Sequence, residues 1–204
     1  MTEVTALSIQ NVSKNFGGLV AVDQMTFDVM EHEVVGLIGP NGSGKTTMLN
    51  LISGFLKLSS GQVGVFGKSI TGRSANRIAR RGIARTFQLV RMLPSMTVRE
   101  NVAAGGVFGY QRYWGVELDR RTNFVIEQVG LGGKDAMPVV ALTYIDQKRV
   151  ELARALISDP QLILLDEWLA GLNPKEMEIG IKLINELRFE GRTLIIVEHY
   201  MDAI

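Results

Sequence analysis

The chain has no cysteine among its 204 residues. Disulfides and thiolate metal centres are therefore excluded. Net charge is almost absent, +1 at pH 7, which argues against the broad basic footprint of a nucleic-acid binder. Long apolar runs are missing too. Hydrophobic residues make up 46% of the sequence, yet no run approaches the ~20 residues that span a bilayer. The N-terminal segment carries Glu3 and lacks the apolar core of a secretory signal. Neither an internal repeat nor a low-complexity linker is visible. What remains is a chain long enough for one good core with a small subdomain. Any membrane association is expected to come through a partner.

Against these absences, glycine is concentrated at one place. Residues 39–46 read Gly-Pro-Asn-Gly-Ser-Gly-Lys-Thr, the pattern G-x-x-x-x-G-K-[ST] of a phosphate-binding loop. Gly39, Gly42 and Gly44 let the backbone turn tightly and aim its N–H groups at phosphate oxygens. Asn41, Ser43 and Thr47 complete the expected cradle. Lys45 places a point charge on the β- and γ-phosphates, and the Thr46 hydroxyl can ligate Mg2+. The apolar run at 33–38 suits a buried parallel strand. Residues 46–52 suit a helix whose N-terminal dipole favours the phosphates.

The rest of the chain reads as α/β. Alternation at 7–12, 25–29 and 62–67 predicts half-exposed strands of antiparallel type. Apolar runs at 34–38, 162–165 and 194–197 predict parallel strands alternating with helices. Val150, Ala153, Leu156 and Ile157 form a helical stripe, predicting a helix over 146–157 that Asp159-Pro160 ends. Pro174 opens a helix to about 188, with Gly191 beyond it. Between 90 and 145 the β signal fades, and 97–104 and 119–129 read as helical. The expectation is a single domain with a helical subdomain, about 90–158, inserted into an α/β core.

Two further places carry chemistry. Residues 162–167 are four apolar residues followed by Asp166 and Glu167, which suits a strand delivering carboxylates to its carboxyl end. In an open α/β sheet that end is where ligands bind. Asp166 is expected to hold Mg2+ through its coordinated water, and Glu167 to polarise the attacking water. His199 follows another apolar strand, where a neutral imidazole could donate to a γ-phosphate oxygen or be satisfied at a helix start. No arginine stands out as a γ-phosphate donor.

In their order these features resemble the nucleotide-binding subunit of an ATP-binding cassette (ABC) transporter. The resemblance covers nearly the whole chain. It rests on Phe16 before Gly17-Gly18, the loop at 39–46, Thr86-Phe87-Gln88, residues 142–149, Asp166-Glu167, residues 170–174 and Glu198-His199. It implies a P-loop core with an antiparallel β-subdomain and a helical insertion. It also implies that Phe16 stacks on adenine and that Gln88 senses Mg2+ and water while linking the site to the membrane partner. Residues 171–173 would lie at a dimer seam. The signature segment at 142–146, with Thr143, Ile145 and Asp146, would cap the γ-phosphate bound by a second subunit. ATP then closes the dimer, hydrolysis reopens it, and the cycle drives permease subunits from the cytoplasmic face of the membrane. The runs at 141–156 and 170–174 resemble the branched-chain amino acid importer group. Lipopolysaccharide-export and urea-import ATPases are close relatives.

Several residues depart from that pattern. Ile145 stands where the signature has glycine, and a β-branched side chain resists both φ > 0 and close approach to phosphate. This predicts retained ATP binding with reduced hydrolysis, or a non-catalytic nucleotide-binding subunit. Trp168 stands where proline is usual, beside Glu167, and Tyr200 replaces a common aspartate. The chain stops at Ile204, whereas family members continue, so their C-terminal extension is expected to be absent. Finally, Arg73, Arg77, Arg80, Arg81, Arg85 and Arg91 cluster near Gln88. They read either as a solvated helix face or as a contact for permease loops and anionic lipid.

Overall fold

The computed structural model describes residues 4–198. Two four-stranded sheets organise them. In the antiparallel sheet, β1 (Thr5–Phe16) and β2 (Leu19–Met30) form a long hairpin. Strands β4 (Ser60–Val65) and β5 (Lys68–Ser69) complete it, in the order β2-β1-β4-β5. The parallel sheet is built from β3 (Val34–Leu37), β6 (Ile83–Arg85), β7 (Leu162–Asp166) and β8 (Thr193–Val197), in the order β3-β8-β7-β6.

The central strands β7 and β8 are buried along their whole length. Their side chains alternate between two cores, as the two-residue strand period dictates. Leu162, Leu164, Ile195 and Val197 face a cluster with β1, β4 and helix α1 (Lys45–Ile52). Ile163, Leu165, Leu194 and Ile196 face a cluster with the later helices. Strand β3, read from the sequence as buried, is half-exposed. It lies at the sheet edge and, among the described residues, pairs only with β8.

Helices α3 (Val98–Phe108), α4 (Gly115–Gln128) and α5 (Tyr144–Leu156) occupy the stretch where the strand signal fades. Thr97 and Glu100 close a reciprocal capping box that starts α3, satisfying two otherwise unpaired backbone N–H groups. Helices α3 and α5 approach closely at Gly105, where an added Cβ would meet Arg154 Cγ and Ile157 Cγ2 at 2.9 Å. These helices share their core with one face of the parallel sheet, because Val98, Val125 and Val150 belong to the same cluster as Ile163 and Ile196. Helix α6 (Pro174–Phe189) has proline in its first turn, and Asn173 caps it in a second capping box with Glu176. The short helix α2 (Ala75–Ala79) carries only Arg77 of the arginine cluster.

The first turn of α5 is fixed by charge. Asp146 is 4% exposed, and its carboxylate accepts from Lys134 Nζ at 2.5 Å and Arg149 Nη1 at 3.0 Å. Burial pushes its pKa up, but bonds from Lys134, Thr143 and Arg149 outweigh that and leave it below the ordinary carboxylate value. A depressed folded-state pKa gives stability that is present above the unfolded value and lost as pH falls through the folded one. Asp146→Asn should therefore lower stability in urea unfolding at neutral pH, with the gap from wild type closing as pH falls below about 3.9. A gap independent of pH would refute this.

Candidate active site

The phosphate-binding loop joins β3 to α1. Gly44 is the N-cap of α1 in the left-handed conformation, φ 91°, and no side chain caps the helix. Its first-turn N–H groups therefore point outward from the helix end without a side-chain acceptor, the arrangement that binds anions. A Cβ on Gly44 would lie 2.5 Å from Ala21 O, so only glycine lets the loop rest against β2. Asn41, Gly42 and Ser43 are exposed along the loop. Lys45 Nζ donates to Gly39 O at 2.8 Å and Pro40 O at 2.9 Å, which places the ammonium over the loop mouth. Thr46 is exposed and Thr47 half-buried in the same turn.

The carboxyl end of β7 meets this loop. Thr46 Oγ1 lies 3.4 Å from Asp166 Oδ1, although the two residues are 120 positions apart. Glu167 follows in a positive-φ conformation, φ 47°, which is uncommon for a residue with a side chain. Its N–H is tied to Val197 O at 2.8 Å. Gln88 Nε2 donates to Glu167 Oε2 at 2.7 Å. Because the acceptor is a carboxylate, the amide must turn its NH2 toward it. Glu198 Oε1 accepts from Leu169 N at 2.8 Å, a second tie between the ends of β7 and β8. Phe16 lies at the tip of the β1–β2 hairpin, 45% exposed, with Lys14 Nζ 4.9 Å from its ring centroid. His199 and Tyr200 lie outside the described residues.

Arg85 is the residue that the sequence reading misses. The sequence groups it with a surface cluster, yet its side chain is 5% exposed. Nη2 donates to Asp166 Oδ2 at 2.7 Å, and Nη1 donates to Asn50 Oδ1 and Ser53 Oγ, each at 2.8 Å. No local pattern marks it out, because β6 is only three residues long and ends at Arg85. Arg73, Arg77, Arg80 and Arg91 are exposed, as a solvated face requires.

The signature segment departs from expectation. Ile145 is 6% exposed and belongs to the helical core. Its backbone lies inside α5, and it is not among the positive-φ residues. The expected steric wall is thus turned inward, without backbone strain. Asp146, expected to contact nucleotide, has its carboxylate buried against Lys134 and Arg149. Thr143 remains exposed as the N-cap of α5, beside Tyr144. Trp168, standing where proline is usual, is turned inward too. It is fully buried, and its Nε1 donates to Lys148 O at 3.3 Å, bracing α5 against the segment after Glu167. Lys148 is itself fully buried. Its ammonium lies 5.1 Å from the Tyr144 ring centroid and has no hydrogen-bond partner among the described residues. Burial pulls its pKa down, opposed by the charges of Glu151, Glu198 and Glu167.

Known proteins resemble this chain in sequence and fold. The sequence model of the ABC transporter family matches residues 22–170. The high-affinity branched-chain amino acid transport ATP-binding protein LivG of Salmonella typhimurium is 37% identical over 213 residues, spanning 97% of this chain and 83% of its own length. BraF of Pseudomonas aeruginosa, described in the same words, is 35% identical with the same coverage. Among solved structures, the ADP conformation of MJ1267, an ATP-binding cassette of an ABC transporter, superposes with a TM-score of 0.87. It is 31% identical and covers 100% of this chain and 84% of the other. The dimeric post-hydrolysis cassette MJ0796, bound to ADP and Pi, superposes with a TM-score of 0.86 at 28% identity, covering 97% and 89%. A family model over residues 22–170, and relatives 35–37% identical along 97% of its length, show that the chain belongs to the ABC transporter family as an ATP-binding cassette.

Proposed function

We propose that this chain hydrolyses ATP to drive a branched-chain amino acid importer. The observation that carries the reading is the convergence of three distant segments on one edge: the loop at 39–46, Gln88, and Asp166 with Glu167. ATP phosphates would lie on the Gly39, Gly42 and Gly44 backbone, with Lys45 at the β- and γ-oxygens. Adenine would stack on exposed Phe16. Glu167, oriented by Gln88 and by its strained backbone, accepts a proton from the attacking water.

Mg2+ fits the residues present. Thr46 and Asp166 offer hard oxygens facing one another, and Mg2+ needs few protein ligands when phosphate oxygens and water complete its shell. When bound, it neutralises charge on the transferring phosphoryl group.

The partners follow from what is exposed. The N-terminus of α5, with Thr143 and Tyr144 in contact with water, would cap the γ-phosphate held by a second copy. A groove of about 400 Å³ lies between the core and α3 and α5, lined by Phe55, Ile78, Phe87 and Phe108 among others. It would take a cytoplasmic segment of the permease, with the exposed arginines around it meeting acidic loops or lipid. No described helix is long and apolar enough to cross a membrane. Held by its permease, the chain would sit at the cytoplasmic face.

Glu167→Gln should lower kcat by on the order of 10²–10³ with ATP affinity within a few-fold of wild type. Steady-state hydrolysis and nucleotide titration check this, and an equal loss in both would remove Glu167 as the base. Ile145→Gly should cost about 2–5 kcal/mol of stability through the cavity it leaves and should not raise kcat. Faster hydrolysis by that variant would restore the steric-wall reading. For the whole assembly, the chain reconstituted with its permease and binding protein should support ATP-dependent leucine uptake. ATP turnover unaffected by leucine-loaded binding protein would redirect the assignment to another solute.

A further inference from the structure

Arg85 and Asp166 form a buried ion pair at the acid expected to face Mg2+. Their side chains are 5% and 2% exposed. Removing both charges from water returns little stability, and apolar replacements of such pairs are often neutral or better. The arrangement also leaves Arg85 Nε buried without a hydrogen-bond partner among the described residues, a further penalty. Stability alone therefore does not account for it.

Its geometry suggests a use. The guanidinium cannot drift. Asn50 and Ser53 hold one nitrogen, and the Phe87 and Phe55 rings lie 4.9 and 5.7 Å from its carbon. The two oxygens of Asp166 are thereby divided. Oδ2 is taken by Arg85 at 2.7 Å, and Oδ1 is left facing Thr46 Oγ1 at 3.4 Å. The cation also cancels most of the carboxylate's charge. A divalent ion between Thr46 and Asp166 would meet a neutral pair instead of a bare anion.

We propose that Arg85 is a positioning residue that sets the divalent-metal affinity of the ATP site. It fixes Asp166 with Oδ1 toward Thr46 and, by its charge, weakens the attraction felt by the metal. The enzyme gains an aligned ligand and a metal that can leave with ADP. This rests on the reading that Thr46 and Asp166 flank Mg2+.

The test uses Mn2+ as the probe, titrated by electron paramagnetic resonance into the full chain with a saturating non-hydrolysable ATP analogue. Wild type should bind Mn2+ in a nucleotide-dependent way. If it does not, the metal-site reading itself falls, and this inference with it. Arg85→Gln should bind Mn2+ about five- to tenfold more tightly, since a repulsive charge near the metal has gone, while kcat falls because Asp166 is no longer held. Arg85→Met, which fills the space without charge, should behave alike. Arg85→Lys keeps the charge and should stay within about twofold of wild-type Mn2+ affinity. A purely structural arginine would give weaker metal binding and lower kcat together. Equal or weaker Mn2+ binding in folded Gln or Met variants overturns the proposal and leaves the metal-site reading intact. So does failure of both to fold when Lys folds, because the charge would then serve stability.

Discussion

The site depends on two strands having no exposed residue. Every side chain of β7 and β8 is buried, and successive ones enter different cores. A slip of one residue would exchange the two sets and expose the mismatch on both faces at once. The register Asp166↔Val197 is therefore strongly specified. It fixes where the apolar run stops, and hence where the carboxylates of Asp166 and Glu167 begin. The loop at 39–46 reaches the same edge because β3 pairs with β8 in that sheet. Chemistry at this edge follows from packing behind it.

Much of this was legible because it rests on local rules. The phosphate loop is a set of backbone requirements that only glycine meets, and Gly44 against Ala21 O is one such requirement. The apolar runs at 162–165 and 194–197 were readable because a strand buried on both faces shows no alternation. The start of α6 was readable because Pro174 suits the first turn of a helix, whereas α5 begins at Tyr144, two residues before the 146–157 span that its stripe predicts. The hairpin between β1 and β2 runs further than its pattern, since its outer end exposes Phe16, Leu19 and Val20 and so loses the buried face that produces alternation. Strands β5 and β6, of two and three residues, are too short to show any period.

What the sequence hides is direction. Arg85 looks like its neighbours Arg80 and Arg81, yet it ends a strand and turns inward to Asp166. Ile145 looks like an obstacle to phosphate, yet a residue on the first turn of α5 can point to the core as readily as outward, and this one does. Trp168 looks like an intrusion beside Glu167. It lies instead under α5, and Gly180 of α6 leaves it room, since a Cβ there would approach Trp168 Cζ3 at 3.1 Å. In each case residue type was informative, but the side reached depends on long-range packing that no local pattern encodes.

The same inward-facing residues connect the parts of the molecule that must act together. Trp168 Nε1 holds Lys148 O of α5, and the next residue, Leu169, is held by Glu198. Helix α5 is thus joined to the ends of both central strands within two residues of Glu167. Its exposed start at Thr143 and Tyr144 lies on the same rigid element, and Gly171 admits the Tyr144 ring, whose Cε1 would lie 3.2 Å from an added Cβ. A load on Thr143 therefore has a short path to the strand end that carries Glu167. The cost is a fully buried lysine in the middle of α5 with acids around it. That cost is tolerable because α5 shares one continuous apolar core with the sheet, so the helix cannot move to relieve Lys148 without disturbing the packing that sets Glu167 in place.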